Sequence, residues 1–235
     1  MNLDERNEIM AVRVWPHEVN REEYCDLFEE CVSEGIDVSV QAGIKRDHIV
    51  RETVNAIKEI VSIYDIDYSE IAILYPEKDS KGLRYYIQYW LRKALDTNNI
   101  PYSIVVPEED GNGVYIKDEG GVVVAPIDAI AGLEFKAVVL TGLYPLSYVY
   151  DKKGNRIHLN DWDELKYLFD DNRELVHSYF AKIYKGYLRA NEILYVLSDA
   201  EKGSIINDVI ESSYNEPDDD FDSIIDDILS SVVLC

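Results

Sequence analysis

Sulfur and imidazole are scarce in this chain. It has three cysteines and four histidines in 235 residues. Cys25 and Cys31 fall in a helix-like stretch and Cys235 is the last residue, so neither a disulfide framework nor zinc-finger spacing is present. His17, His48, His158 and His177 are scattered, with no H-E-x-x-H run and no Cys/His cluster, and no metal site is expected. Basic residues are outnumbered, 23 Lys and Arg against 46 Asp and Glu, for a formal net charge of −23. Phosphate neutralisation supplies much of the affinity of a nucleic-acid binder, so a lone one normally shows a basic face. "KDSKGLRYY" and "WLRKAL" hold Lys78, Lys81, Arg84, Arg92 and Lys93 within one short region, a local basic cluster. That cluster reads either as a solvated helix face or as a weak nucleic-acid contact through Lys78, Lys81 and Arg84.

Other signatures are also missing. No apolar run reaches about 18 residues, so no transmembrane helix is expected. The start, "MNLDERNEIMAVRVW", lacks the basic-then-apolar layout of a signal peptide. The expectation is a cytoplasmic, reduced protein with no membrane partner. No G-x-x-x-x-G-K-[ST] occurs, so no P-loop cradles a phosphate, and the glycines of "DGNGVYIKDEGG" lack the strand-to-helix context of a dinucleotide fingerprint. No Ser-His-Asp arrangement stands out. The carboxylates of "DWDELKYLFDD" match the acidic first turn that a helix macrodipole favours. A self-sufficient enzyme is not indicated.

What is present is alternation. "AVRVW", "IDVSVQAG", "IAILY", "IPYSIVV", "VVVAPI", "AVVLTGL" and "EILYVLSD" read as strands. "REEYCDLFEECVSEG", "RDHIVRETVNAIKEIVSIY", "SKGLRYYIQYWLRKALDTN", "NDWDELKYLFDDN", "RELVHSYFAKIYKGYLRA" and "EKGSIINDVIESSY" read as helices, with Asn160 or Asp161 capping the fourth. In the second, Ile49, Val54, Ile57, Ile60 and Val61 share one face. "EEDGNGVYIKDEGG" reads as turn, short strand, turn. Apolar strands alternating with helices predict an α/β three-layer sandwich with a largely parallel central sheet. Residues 1–35 read as a strand–helix segment, joined to the main domain or linking to another, residues 36–213 as the domain, and 214–235 as an acidic amphipathic tail. In that tail, Phe221, Ile224, Ile225, Ile228, Leu229 and Val232 fall at helical spacing opposite Asp222, Asp226 and Asp227. It is a terminal helix docked on its own domain or a segment that folds on a protein partner.

Two stretches are expected at strand ends, where α/β sheets bind ligands. One is the corner "GLEF", Gly132 to Phe135, leading into "KAVVLTGL". The other is "YKGYLRANEILYVL", in which Arg189 ends a helix just before a strand. An arginine there can grip phosphate with a planar fork, and a carboxylate, Glu134, on the neighbouring loop can face the same nucleotide. Arg189 can equally serve as a cation at a helix C-terminus, and Glu134 as an exposed loop acid. Tyr184 and Tyr195 suit packing.

These stretches carry a resemblance. "GLEFKAVVLTGL" resembles motif V of the UvrD/Rep-type superfamily I DNA helicases, a "KGLEFD" turn before an apolar strand. "YKGYLRANEILYVL" resembles their motif VI, "YVAxTRAxxxLYL", matching at Tyr184, Arg189, Ala190, Glu192, Leu194 and Tyr195. "YDIDYSEIAILYPEKD", "NNIPYSIVV" and "HIVRETVNAIKEIV" are similar to segments of the same domain in the same order, from about residue 36 to 200. The resemblance implies a RecA-like C-terminal domain carrying motifs IV to VI. It implies ATP and Mg2+ in a complete helicase, single-stranded DNA as partner, and a P-loop RecA-like domain, in the same or another chain, to complete the site. Arg189 would reach the γ-phosphate as the catalytic arginine, with Gly132, Leu133, Glu134 and Tyr184 beside the nucleotide. No nucleotide or turnover is expected for this chain alone. Departures stand at Pro76 (for the motif IV arginine), Pro126, Asp128, Ala131, Lys136 and Leu188. With the acidic balance they favour the alternative, a degenerate RecA-like interaction module that docks on a nucleic-acid machine such as RNA polymerase.

Overall fold

A computed structural model of the chain describes residues 20–32, 35–76, 86–107, 114–116, 120–130 and 132–212. Lys78, Lys81, Arg84, the strand read in "AVRVW" and the tail 214–235 lie outside them. The helices are α1 (Arg21–Val32), α2 (Ile49–Tyr64), α3 (Arg92–Thr97, entered through a π-helical turn at Tyr86–Leu91), α4 (Asp170–Tyr187) and α5 (Ile205–Ser212), and strand β1 (Asp37–Gln41) lies between α1 and α2. The remaining strands are β2 (Ile71–Tyr75), β3 (Tyr102–Pro107), β4 (Val114–Ile116), β5 (Val122–Pro126), β6 (Phe135–Thr141), β7 (Tyr148–Tyr150), β8 (Arg156–His158) and β9 (Ala190–Leu197).

The sheet runs in the order β1-β9-β6-β2-β5-β3-β4. The first six strands are parallel and β4 is antiparallel. A parallel sheet must be covered on both faces, which is why its strands read as unbroken apolar runs; every residue of β2 is buried. On one face α1, α4 and α5 bury Tyr24, Phe28, Phe180, Ile183, Ile206 and Val209. On the other, α2 and α3 bury Ile49, Val54, Ile57, Ile60 and Leu95. The result is the expected three-layer α/β sandwich, with a parallel sheet of RecA-like type. Val61 of the predicted apolar face packs only partly.

Helix α1 belongs to this packing. Tyr24 and Phe28 are fully buried, with Tyr24 stacked on Phe180 at 4.1 Å. Arg21 grips Asp208 of α5 through Nε and Nη2 at 2.6 and 3.0 Å, and the indole N–H of Trp162 donates to the same carboxylate at 2.7 Å.

Two local expectations are corrected. "NDWDELKYLFDDN" is not a helix of its own: it forms a 3-10 turn, Glu164–Tyr167, and its last three residues open α4. Asp161 caps a turn by accepting the Asp163 N–H at 2.8 Å, an Asx geometry that competes with helix. The chain then extends at Phe169 before α4 starts. Between Leu143 and Asn160, where the sequence suggests no element, β7 and β8 form an antiparallel hairpin. Asp151 closes its turn by accepting the N–H groups of Lys153 and Asn155, each at 2.8 Å.

Gly186 shows how tightly α4 rests on the sheet. A Cβ there would sit 3.1 Å from Leu140 Cδ1 and 3.5 Å from Ile127 Cδ1. Gly186→Val is expected to destabilise the fold by about 1–3 kcal/mol through overpacking, read as a lower midpoint in urea unfolding. A second prediction concerns the α1–α4 contact, where Tyr24 Oη hydrogen-bonds His177 Nδ1. Burial lowers the His177 pKa, against the opposing pull of Glu174 and Glu23. With the folded pKa below the unfolded one, this contact's contribution is present above about pH 6.5 and is lost as pH falls through the folded value. His177→Phe should flatten that part of the stability curve between about pH 7.5 and 5.5, read by urea unfolding at each pH.

Candidate functional site at the amino edge of the sheet

The two motif-like stretches immediately precede β6 and β9, which pair in parallel from Phe135↔Ala190 to Thr141↔Leu197. The bend before β6 and the helix end before β9 must therefore meet at one edge of the sheet. That edge holds the strands' amino ends, opposite the carboxyl ends where α/β crevices usually form.

The bend is built by Gly132. It sits at φ +81°, in the left-handed region where glycine is favoured, with nothing within 4 Å of where a Cβ would be. Leu133 N–H closes the turn on Ile130 O at 3.1 Å, and Phe135 N–H donates to Arg189 O at 2.9 Å. On the other side, α4 ends as Leu188 N–H bonds Tyr184 O at 3.1 Å and Arg189 N–H bonds Gly186 O at 3.2 Å.

The Arg189 side chain spans the two. Nη1 donates to Leu133 O at 3.2 Å and Nε to Lys185 O at 3.3 Å. The guanidinium thus caps the carboxyl end of α4, a favourable position for a cation, and ties it to the bend. Arg189 and Glu134 are half-buried, while Gly132 and Leu133 are exposed, Leu133 to 43%. Asp128, in the 3-10 turn Ile127–Ile130, pairs with Lys182 at 3.0 Å and Lys185 at 3.5 Å. Lys136, where the family pattern has an aspartate, pairs with Glu70 at 2.6 Å.

Tyr184 is placed differently from its neighbours. It is buried and meets Phe28 of α1 edge-on, with ring centroids 5.8 Å apart. It supports α4 from the core side. Tyr195 is also buried, as packing predicts. Trp90 is 46% exposed and Trp162 lies in a turn, half-buried against Phe180. The structure therefore brings Gly132, Leu133, Glu134 and Arg189 together, and sets Tyr184 behind them. Lys182, Lys185 and Asp128 complete the charged surface. Their sequence signal was the helical i, i+3 spacing of two lysines leading towards Arg189.

Among the described residues no group of three or more His, Cys, Asp or Glu can hold a metal ion, and no helix is long and apolar enough to cross a membrane. No protein-family model matches this chain and no curated protein does. Among solved structures, it is similar to the C-terminal domain of a possible DNA helicase from Lactobacillus plantarum WCFS1. The identity is 18%, the TM-score 0.44, and the match covers 84% of this chain and 96% of the other.

Gly132→Ala is expected to cost about 1–2 kcal/mol, the strain of a left-handed alanine, because the site offers no steric clash to add to it. Chemical denaturation of the variant checks the size. Arg189→Ala removes the tie between Leu133 O and Lys185 O and should raise amide exchange at Leu133 and Phe135 by several fold, read by hydrogen–deuterium exchange.

Proposed function

We propose that this chain is the second RecA-like domain of an ATP-dependent DNA helicase or translocase, contributing its amino-edge bend and Arg189 to an ATP site that a P-loop domain completes. The observation that supports this most is the Arg189 Nη1 to Leu133 O hydrogen bond at 3.2 Å. It holds the motif V-like bend and the motif VI-like arginine in one surface, half-open to solvent.

The residues fit a contributor rather than a container. Arg189, with Lys182 and Lys185 alongside, offers cationic donors to the terminal phosphate from one side only. Its guanidinium would stabilise charge developing on the phosphoryl group, as an arginine finger does. Gly132, which lacks a Cβ, would let a ligand approach the bend closely, and Glu134 would contact the sugar. Tyr184 would act through packing under α4. The metal that accompanies ATP would be held by carboxylates of the P-loop domain. Bound there, ATP supplies the phosphoryl bond whose cleavage drives movement along single-stranded DNA.

The alternative, an interaction module without nucleotide turnover, is favoured by a different observation. Arg189 donates to two backbone carbonyls, and Asp128 offsets Lys182 and Lys185, which is what a helix cap and a surface ion pair require. In that reading the acidic tail meets a protein partner.

The two separate in one experiment. ATPase is measured for this chain joined to its P-loop domain, with wild type and Arg189→Ala compared. A drop in kcat of about 10³-fold or more is expected for an arginine finger. Equal rates for the two would refute the assignment and leave the module.

A further inference from the structure

Helices α2 and α3 do not close on each other along their whole length. A groove of about 710 Å³ separates residues 47–55, where α2 begins, from residues 90–98, which are α3 and its two ends. Beyond it the helices are tied, as Lys58 Nζ donates to Asn98 Oδ1 at 2.7 Å. Val50, Val54, Trp90 and Ala94 supply the apolar part of the walls, and Trp90 is 46% exposed. The polar side chains of the walls already have partners. Asn55 donates to Glu52 at 3.1 Å, Thr97 to Lys93 O at 2.7 Å and Asn98 to Ala94 O at 2.7 Å. What the groove has left to bury is apolar surface.

Cations stand beside it. Lys93 holds its Nζ 5.4 Å from the Trp90 ring centroid, and Lys58 lies at the tied end; neither has a carboxylate partner among the described residues. Arg51, in the wall, is paired with its neighbour Glu52, and Asp47 is the one acid of the lining. A surface of this kind fits an apolar helix face flanked by acids.

This chain holds such a segment. Residues 214–235 contain seven acidic residues and no basic one. At helical spacing Phe221, Ile224, Ile225, Ile228, Leu229 and Val232 form one stripe, with Asp222 and Asp226 on one flank and Asp227 on the other. Residues 221–232 make roughly 17 Å of helix, against roughly 12 Å of helix in each wall of the groove.

Reach decides whose tail can enter. Helix α5 packs with α1 and α4 on one face of the sheet, and the groove lies on the other. The stretch from Ser212 to Phe221 spans at most about 30 Å fully extended. Rounding the β1 edge from α5, through both helix layers and over α2, takes a path on the order of 40 Å.

We propose that the groove between α2 and α3 receives the acidic amphipathic tail of a second copy of this chain, folded as a helix over residues 221–232. Reciprocal exchange of the two tails closes a two-fold dimer. This contact does not rest on the role of Arg189 in an ATP site.

The test uses the full chain. Sedimentation velocity between about 1 and 100 μM, the span that reveals micromolar association, is expected to show a monomer–dimer equilibrium. Trp90→Glu and Lys93→Glu in the groove, and the double substitution Ile225→Asp, Ile228→Asp in the tail, should each weaken it at least about tenfold, as loss of a central contact does. Tyr167→Ser, which removes an aromatic 87% exposed and outside the groove, should not. Circular dichroism checks that each variant folds, and groove and tail are far apart in the chain, so one arm survives if the other fails. Mixing then fixes the source. The Trp90→Glu chain keeps its tail and the tail variant keeps its groove, so the two should associate with each other although neither associates with itself. A monomer whose tryptophan emission responds to the tail substitutions only when Trp90 is present identifies the chain's own tail as the occupant. A dimer sensitive to Tyr167 and not to Trp90 identifies another face. Either result overturns the proposal, as do a monomer with no such response and a mixture that fails to associate.

Discussion

The parallel pairing of β6 with β9 is the constraint on which the other features depend. Each is almost wholly apolar beyond its first residues, so each needs neighbours on both sides and helices above and below. Once paired, their register leaves no freedom about what meets at either end. At the amino end the bend at Gly132 faces the end of α4. At the carboxyl end the loops after Thr141 and Leu197 come together and are joined by Asp199 and the Tyr144 N–H. A one-residue slip would turn every side chain to the opposite face and dismantle both edges at once.

The helices enforce that register. Gly186 lets α4 settle against Leu140, and α1 closes over α4 and α5 through Tyr24 and Phe28, with Arg21 and Trp162 both held by Asp208. Arg189 therefore emerges from a helix end whose position is set by packing on the core side and by its own hydrogen bonds on the solvent side. A guanidinium held this way loses little entropy on meeting a ligand, and the same bonds serve the fold when no ligand is there.

Charge is distributed unevenly over this frame. A net charge of −23 is unfavourable for any anionic ligand at long range, yet it is screened beyond about 10 Å at moderate salt. Short-range cations decide local binding. Lys182, Lys185 and Arg189 gather on one edge, and Lys58 and Lys93 stand beside the groove between α2 and α3. Elsewhere carboxylates balance cations directly, as Asp163 does Lys166 and Asp208 does Arg21.

Much of the architecture was legible in the chain because periodicity is a local property. β2, β6 and β9 announced themselves as apolar runs, and α2 by the face of Ile49, Val54, Ile57 and Ile60. The Gly132 bend was legible too, since glycine before an apolar strand signals a turn. The 3-10 turn at Glu164–Tyr167 and the hairpin β7–β8 were not, because Asx hydrogen bonds from Asp161 and Asp151 outweigh weak local propensities. What the sequence alone determined was the alternation, the strands that must be buried and the arginine that ends α4. Only tertiary structure decided that Arg189 reaches Leu133, that Tyr184 turns into the core, and that Arg46 stacks on Tyr144. Those contacts join residues far apart in the chain, and sheet order, which brings them together, is set by the packing of whole layers.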